Sequence, residues 1–336
     1  MTRNVLMLWY QEGDNFGDVL IANTTREYLK EHGINSIDYE VGRPCCEVIE
    51  EANKCDFLLF AGGGIIEKYI PNVIRHFKAD YHMLKVRYGV IGFGMADYDY
   101  SDYHEQIEFW VRHADFFYVR DSYTKSQLDS IVGMDKVIYS ADDVFANKHL
   151  ANYCSFIQTT TSVIGINIRN MPYRDITGEI DSESIKEVCD KCHVSLWIPD
   201  SYQNKIECIF QNSESNSAIS TDNCNIDEKS KLIIDAICRC NYVIAMRYHV
   251  ILVAARLGKI PLPIIYSPKV RTLSEQLGIN ELAVEYNAIH DIPSKMKIAK
   301  ENSEFYLRRI KNNVERLEDR AVGMYKQITD YLEGAI

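Results

Sequence analysis

The stretch Tyr242-Val243-Ile244-Ala245-Met246-Arg247-Tyr248-His249, with the apolar run 250–257 behind it, decides the fold. Four β-prone residues with no polar face read as a strand covered on both sides, the signature of a parallel sheet under helices. The run that follows is long enough for a helix, so the chain turns from strand to helix between Met246 and His249. Strand followed directly by helix is the repeating unit of an α/β protein, and it recurs in both directions from here.

Toward the N-terminus, 5–9, 57–60, 90–93 and 116–119 read as buried strands. Helix candidates lie between and after them at 19–31, 45–54, 71–85, 105–114 and 123–131. Asp18 is placed to cap the first helix and Gly33 to stop it. The alternation stops over the polar stretch 147–161, which reads as a linker, and restarts with a strand at 163–168. Beyond it come a helix at 182–191, a strand at 194–198, a helix at 229–239, the opening unit, a strand at 262–265 and a helix at 271–277. After residue 295 the chain turns charged, and Phe305, Ile310, Val314, Leu317, Met324, Ile328 and Tyr331 mark one face of a single long helix. The expected organisation is two α/β domains, 1–150 and 160–295, with a helix over 296–336 packed on them.

Composition limits what such a molecule can do. The chain has 336 residues, 46% of them hydrophobic and 25% charged, which excludes disordered and fibrous classes. Its 37 Lys and Arg against 48 Asp and Glu give a net charge of −11, which argues against a nucleic-acid partner and requires any anionic ligand to be held by a local cationic pocket. The apolar run at 5–10 is too short for a signal segment or a membrane span, so a cytoplasmic protein is expected. The 10 Cys, several beside apolar residues, fit reduced buried thiols better than a disulfide framework.

Four groups of residues follow strands, where open α/β sheets bind ligands. Gly13-Asp14-Asn15-Phe16-Gly17-Asp18 opens the first helix. Asp14 and Asp18 are suited to sugar hydroxyls or to proton transfer, and Asp18 equally to a cap. Gly62-Gly63-Gly64 lets the backbone pass close to something. It is not a dinucleotide fingerprint, because Glu67 stands where the third glycine is needed, and no Walker sequence occurs. Arg120-Asp121-Ser122 reads as a structural brace with Ser122 as a helix cap, and of Asp142 and Asp143 the former is taken as the functional candidate. In the fourth group, Arg247 and His249 pair a guanidinium fork with an imidazole, residue types suited to a carboxylate or phosphate and to proton exchange near neutrality. With Arg169 and Lys269 after neighbouring strands, they make an anion site the favoured reading. Cys189, Cys192, His193, Cys238 and Cys240 match no common zinc spacing, and no metal is expected.

Taken in order, Asn15-Phe16-Gly17-Asp18, Gly62-Gly63-Gly64-Ile65, Gly92-Phe93-Gly94, Val119-Arg120-Asp121-Ser122, Ala141-Asp142, Met246-Arg247-Tyr248-His249 and Tyr266-Ser267-Pro268-Lys269 resemble the polysaccharide pyruvyl transferase family. The resemblance implies two Rossmann-like domains facing a cleft, as in GT-B glycosyltransferases. It also implies pyruvyl transfer from phosphoenolpyruvate to a saccharide or lipid-linked oligosaccharide, without a cofactor, in cell-surface polysaccharide biosynthesis. Peripheral membrane association is compatible with such an acceptor. The family's R-x-H motif falls on Arg247 and His249, and its second-domain arginine on Arg169. These three residues and Lys269 are then expected at the donor, with His249, Arg247 and Asp142 in catalysis. Asp14, Asn15, Asp18, Gly62, Gly63 and Gly64 are expected on the acceptor side. Family members often carry Asp where this chain has Ser267. A nucleotide-sugar glycosyltransferase and a non-catalytic saccharide-binding protein are the alternatives.

Overall fold

A computed structural model describes residues 3–10, 15–63, 69–96, 99–133, 135–153, 162–168, 182–199, 217–218 and 225–335. By its contacts the chain forms two compact units, 1–13 with 17–146 and 317–336, and 14–16 with 147–316.

The first unit contains β1 (Arg3–Trp9), α1 (Phe16–Glu31), β2 (Ile34–Glu40), α2 (Cys45–Ala52), β3 (Phe57–Phe60), α3 (Arg75–Asp80), β4 (Arg87–Phe93), α4 (His104–His113), β5 (Phe117–Val119), α5 (Ser122–Val132) and β6 (Ile138–Tyr139). Its six strands are all parallel, in the order β2-β1-β3-β4-β5-β6. Strand β2 escaped the sequence reading because it is an edge strand carrying Asn35, Ser36, Asp38 and Glu40, with most side chains at least partly exposed. The expected helix at 71–85 is shorter, a π turn at Ile70–Ile74 leading into α3 and a 3₁₀ turn at Tyr81–Met83 following it. Helix α1 begins at Phe16, so Asp18 sits inside its first turn and favours the positive end of the helix dipole instead of capping it. At α5 the cap is Asp121, which accepts the Thr124 N–H at 2.7 Å, and not Ser122. The core is aromatic, with the buried Trp110 ring meeting Phe60, Phe93 and Phe117 edge-on at 5.0–5.3 Å.

The second unit contains α6 (Lys148–Tyr153), β7 (Ile164–Asn167), α7 (Ser182–Cys192), β8 (Leu196–Trp197), β9 (Ser217–Ala218), α8 (Ile226–Arg239), β10 (Tyr242–Ala245), α9 (Tyr248–Arg256), β11 (Ile260–Ile265), α10 (Pro268–Leu277), β12 (Val284–Glu285) and α11 (Ile292–Glu301). Its strands are also parallel, ordered β12-β11-β10-β7-β8-β9. Strand β11 tolerates two prolines although it lies inside the sheet. Its Ile260 N–H points to β10, so by alternation Pro261 and Pro263 face the other side, where β12 pairs only from Ile264 onward. Part of the expected linker is the helix α6, and 154–161 lie outside the described residues.

The charged C-terminal region is two helices, α11 and the 33-residue α12 (Ser303–Ala335), broken at Asn302. Residues 303–316 belong to the second unit and 317–335 to the first. Its buried face runs through Tyr306, Ile310, Val314, Leu317, Ala321, Met324, Tyr325, Ile328 and Leu332. Phe305, expected on that face, is instead exposed, with the Arg309 guanidinium 4.3 Å above its ring.

Candidate functional site

In each sheet the strand order reverses once, and an open α/β sheet binds ligands beyond the carboxyl ends of the strands at that reversal. In the second unit the reversal falls between β7 and β10. Met246 to His249 follow β10 there, and the N–H of Met246 is anchored on the carbonyl of Asn167 at 3.0 Å. Arg247 is the N-cap residue of α9, extended (φ −76°, ψ 129°), and its donor-only guanidinium cannot cap the helix N–H groups. It donates to Asn15 Oδ1 at 3.3 Å, and Asn15 is grouped with this unit. Tyr248 is buried, and the half-buried His249 ring stands edge-on to it at 5.0 Å.

One strand further, Ser267 is the N-cap of α10 but makes no cap hydrogen bond, and its buried Oγ has no partner. The half-buried Lys269 holds its ammonium 5.8 Å from the centre of the Tyr266 ring. At the end of β7, the buried Asn167 donates to the Ile198 carbonyl at 3.2 Å while its Oδ1 has no donor. Sequence reasoning passed over Asn167, although a lone polar residue in the run Val163-Ile164-Gly165-Ile166-Asn167-Ile168 was a usable signal. Arg169 lies outside the described residues, as do Asp14 and Gly64. The structure therefore brings Arg247, His249 and Asn15 together, with Lys269 after the adjacent strand.

In the first unit the reversal falls between β1 and β3, whose ends lead to the Asn15 to Asp18 segment and to Gly62 and Gly63. Asp18 is buried. Gly63 ties the ends of β3 and β4, its N–H donating to Gly92 O at 3.2 Å and its carbonyl accepting from the Gly94 N–H at 2.9 Å. The glycines are needed because side chains press on them from below. A Cβ on Gly62 or Gly92 would collide with Asp143 Oδ2, and one on Gly94 with the Arg120 guanidinium. Gly92 also holds φ +54°, inside a register shift of β4.

Beneath these strand ends lies a buried charged cluster. Arg120 pairs with Asp142 at 3.1 Å and Asp121 at 3.4 Å, and Asp142 also accepts the Val144 N–H at 3.1 Å. Asp143 Oδ1 accepts from the Tyr325 hydroxyl at 2.6 Å, and that hydroxyl lies 2.8 Å from Thr25 Oγ1. Asp143 Oδ2 has no partner. Burial, with the negative Asp142 beside it, pushes the Asp143 carboxyl up to about 7. Because this folded-state value is raised above that of the unfolded chain, folding stability should be lost as pH rises from about 4 to 7, at about 1.4 kcal/mol per pH unit, and the loss should level off above 7. Urea midpoints of wild type and Asp143→Asn across pH 4–9 check this: the Asn variant should lack that part of the slope. Nothing in the sequence distinguished Asp143 from its neighbour Asp142, and Tyr325 was not among the positions that marked the apolar face of the last helix.

Among the described residues, no group of three or more His, Cys, Asp or Glu side chains is placed to hold a metal, and no helix is long and apolar enough to cross a membrane. Among the described residues Cys45, Cys46, Cys55, Cys189, Cys192 and Cys240 are free thiols, and Cys238 is disulfide-bonded.

The family model for polysaccharide pyruvyl transferase matches residues 15–268. No curated protein matches the chain. Among solved structures, UDP-GlcNAc 2-epimerase from Neisseria meningitidis bound to UDP-GlcNAc is similar at TM-score 0.61 and 15% identity, over 98% of this chain and 99% of that one. The S. aureus MnaA-UDP structure gives 0.63 and 11%, over 98% and 97%, and a glycosyltransferase from Rickettsia africae 0.58 and 11%, over 97% and 98%. At these identities the likeness is one of fold, and the fold is of the GT-B type.

Proposed function

The chain belongs to the polysaccharide pyruvyl transferase family, and from that premise we propose that it transfers the pyruvyl group of phosphoenolpyruvate to a saccharide as a cyclic ketal. The observation that carries this reading is the Arg247 and His249 pair at the strand reversal of the second sheet. Phosphoenolpyruvate presents a phosphate and a carboxylate, and a net charge of −11 leaves local cations to hold them.

The donor methylene carbon takes a proton, which leaves a cationic C2. One sugar hydroxyl attacks C2 and gives up its proton, phosphate departs with the C–O bonding electrons, and a second hydroxyl closes the ketal with loss of its own proton. Proton delivery and removal are both needed, and we assign the first to His249. Arg247, Lys269 and Arg169 bind the donor and stabilise the departing phosphate. Asn15 orients Arg247 by its 3.3 Å hydrogen bond and, with Asp14, Asp18 and Gly62 to Gly64, belongs to the acceptor side. Asp142, committed to Arg120, acts in this reading through the strand ends above it. The acceptor is a cell-surface saccharide or its lipid-linked precursor, met on the cytoplasmic side with at most peripheral membrane contact.

Donor binding tests the assignment. Phosphoenolpyruvate at about 100 times its Kd should stabilise the protein by about 2.7 kcal/mol in thermal unfolding. Stabilisation by UDP-sugars alone would favour a nucleotide-sugar glycosyltransferase, and no response to either would favour a saccharide-binding protein. Arg247→Ala should weaken phosphoenolpyruvate binding by about 1.5–3 kcal/mol in calorimetry. Arg247→Lys should restore only part, because an ammonium lacks the two-pronged fork.

A further inference from the structure

Asp143 has no part in the proposed transfer, although it is a fully buried carboxyl directly against Gly62 and Gly92 at the ends of β3 and β4. Both its oxygens are accounted for. Oδ1 takes the Tyr325 hydroxyl from α12, and Oδ2 fills the space left by the missing side chains of Gly62 and Gly92, with no hydrogen-bond donor. We propose that Asp143 is a proton-operated peg: neutral, it seats the ends of β3 and β4, and ionised, it unseats them.

Its own backbone N–H, the Tyr325 hydroxyl and Arg120 favour the charge, and burial with Asp142 outweighs them. From its own turn comes Asp142, which repels a second negative charge, and from the end of β5 comes Arg120, already shared between Asp142 and Asp121. From α12 comes Tyr325, whose single proton serves Oδ1, with Thr25 of α1 behind it. The faces toward β3 and β4 are glycine backbone. An anion at Oδ2 thus has no compensating donor in a site closed to water, a cost well above that of an unpaired neutral carboxyl. It is relieved when the Gly62 and Gly92 backbone lifts and admits water. The hydrogen bonds that then break are those of the Gly63 and Gly94 N–H groups, which join the two strand ends. The midpoint falls near neutrality, where burial and Asp142 hold the group. The consequence for catalysis rests on the acceptor-side reading of Gly62 to Gly64: acceptor binding weakens as pH rises through neutrality, and donor binding does not.

Hydrogen exchange of the substrate-free protein tests the peg without reference to turnover. After correction for intrinsic rates, protection of the Gly63 and Gly94 amides should fall about tenfold between pH 6 and 8 in wild type. It should stay flat in Asp143→Asn. In Tyr325→Phe the midpoint should move to higher pH, because the hydroxyl that favours the ionised carboxyl is gone. Flat protection in wild type, or an equal fall in Asp143→Asn, overturns the proposal. Should the Asn variant not fold, an unmoved midpoint in Tyr325→Phe overturns it instead. Acceptor KM, measured over the same range, should rise in wild type and not in Asp143→Asn. A pH-dependent protection with a flat acceptor KM supports the peg and removes Gly62 and Gly63 from the acceptor side.

Discussion

Replacing His249 with Ala should lower turnover with phosphoenolpyruvate by about 10²–10⁴-fold while donor affinity changes modestly, the pattern of a lost proton carrier. The imidazole occupies the first turn of α9, half-buried and held edge-on to Tyr248, so its orientation is set by a rigid strand-to-helix turn. Arg247, on the same turn, should show the opposite split, with affinity lost first. Calorimetry with phosphoenolpyruvate, set beside phosphate-release rates for each variant, separates the two. A parallel loss of affinity in His249→Ala, with no selective loss of turnover, would make His249 a donor ligand and send the search for the proton carrier to Asp14 and Asp18.

The largest effect on stability should come from Arg120→Ala. Arg120, Asp121 and Asp142 are each at most 1% exposed, and the guanidinium is shared by the two carboxylates. Its removal leaves two buried negative charges uncompensated, which typically costs about 3–5 kcal/mol. The damage should spread to the strand ends, because the same guanidinium lies against Gly94. Urea unfolding of Arg120→Ala and of the double variant Arg120→Met with Asp142→Asn checks the cause. The double variant should recover part of the loss, since one of the stranded charges is gone. A loss below 1 kcal/mol in Arg120→Ala would mean that the cluster admits water in the folded state.

The sheets were legible because their central strands are short runs of apolar residues with no polar face, as at 57–60 and 242–245, followed directly by helices. Edge strands were not, since β2 carries polar residues on its open side and β6, β9 and β12 are two residues long. Helix ends were misplaced by a residue or two where two capping residues stand near each other, as Asp121 and Ser122 do. At the site, Arg247, His249 and Lys269 stood out by residue type and by position after strands. What remained hidden were groups whose meaning lies in three-dimensional company: Asp143 against the glycines, Tyr325 reaching it from α12, and the unpartnered Ser267 Oγ. The triple glycine was recognised as a close approach, and the group approaching Gly62 came from 81 residues further along the chain, where no local pattern could reveal it.

The central claim is that phosphoenolpyruvate is the donor. It is tested most directly by incubating the protein with phosphoenolpyruvate and diol-bearing saccharides while following inorganic phosphate and the mass of the acceptor together. One phosphate released for each acceptor that gains a pyruvate ketal, lost in His249→Ala, is the predicted result. Glycosylation of the acceptor from a UDP-sugar, with phosphoenolpyruvate left unconsumed, would contradict it.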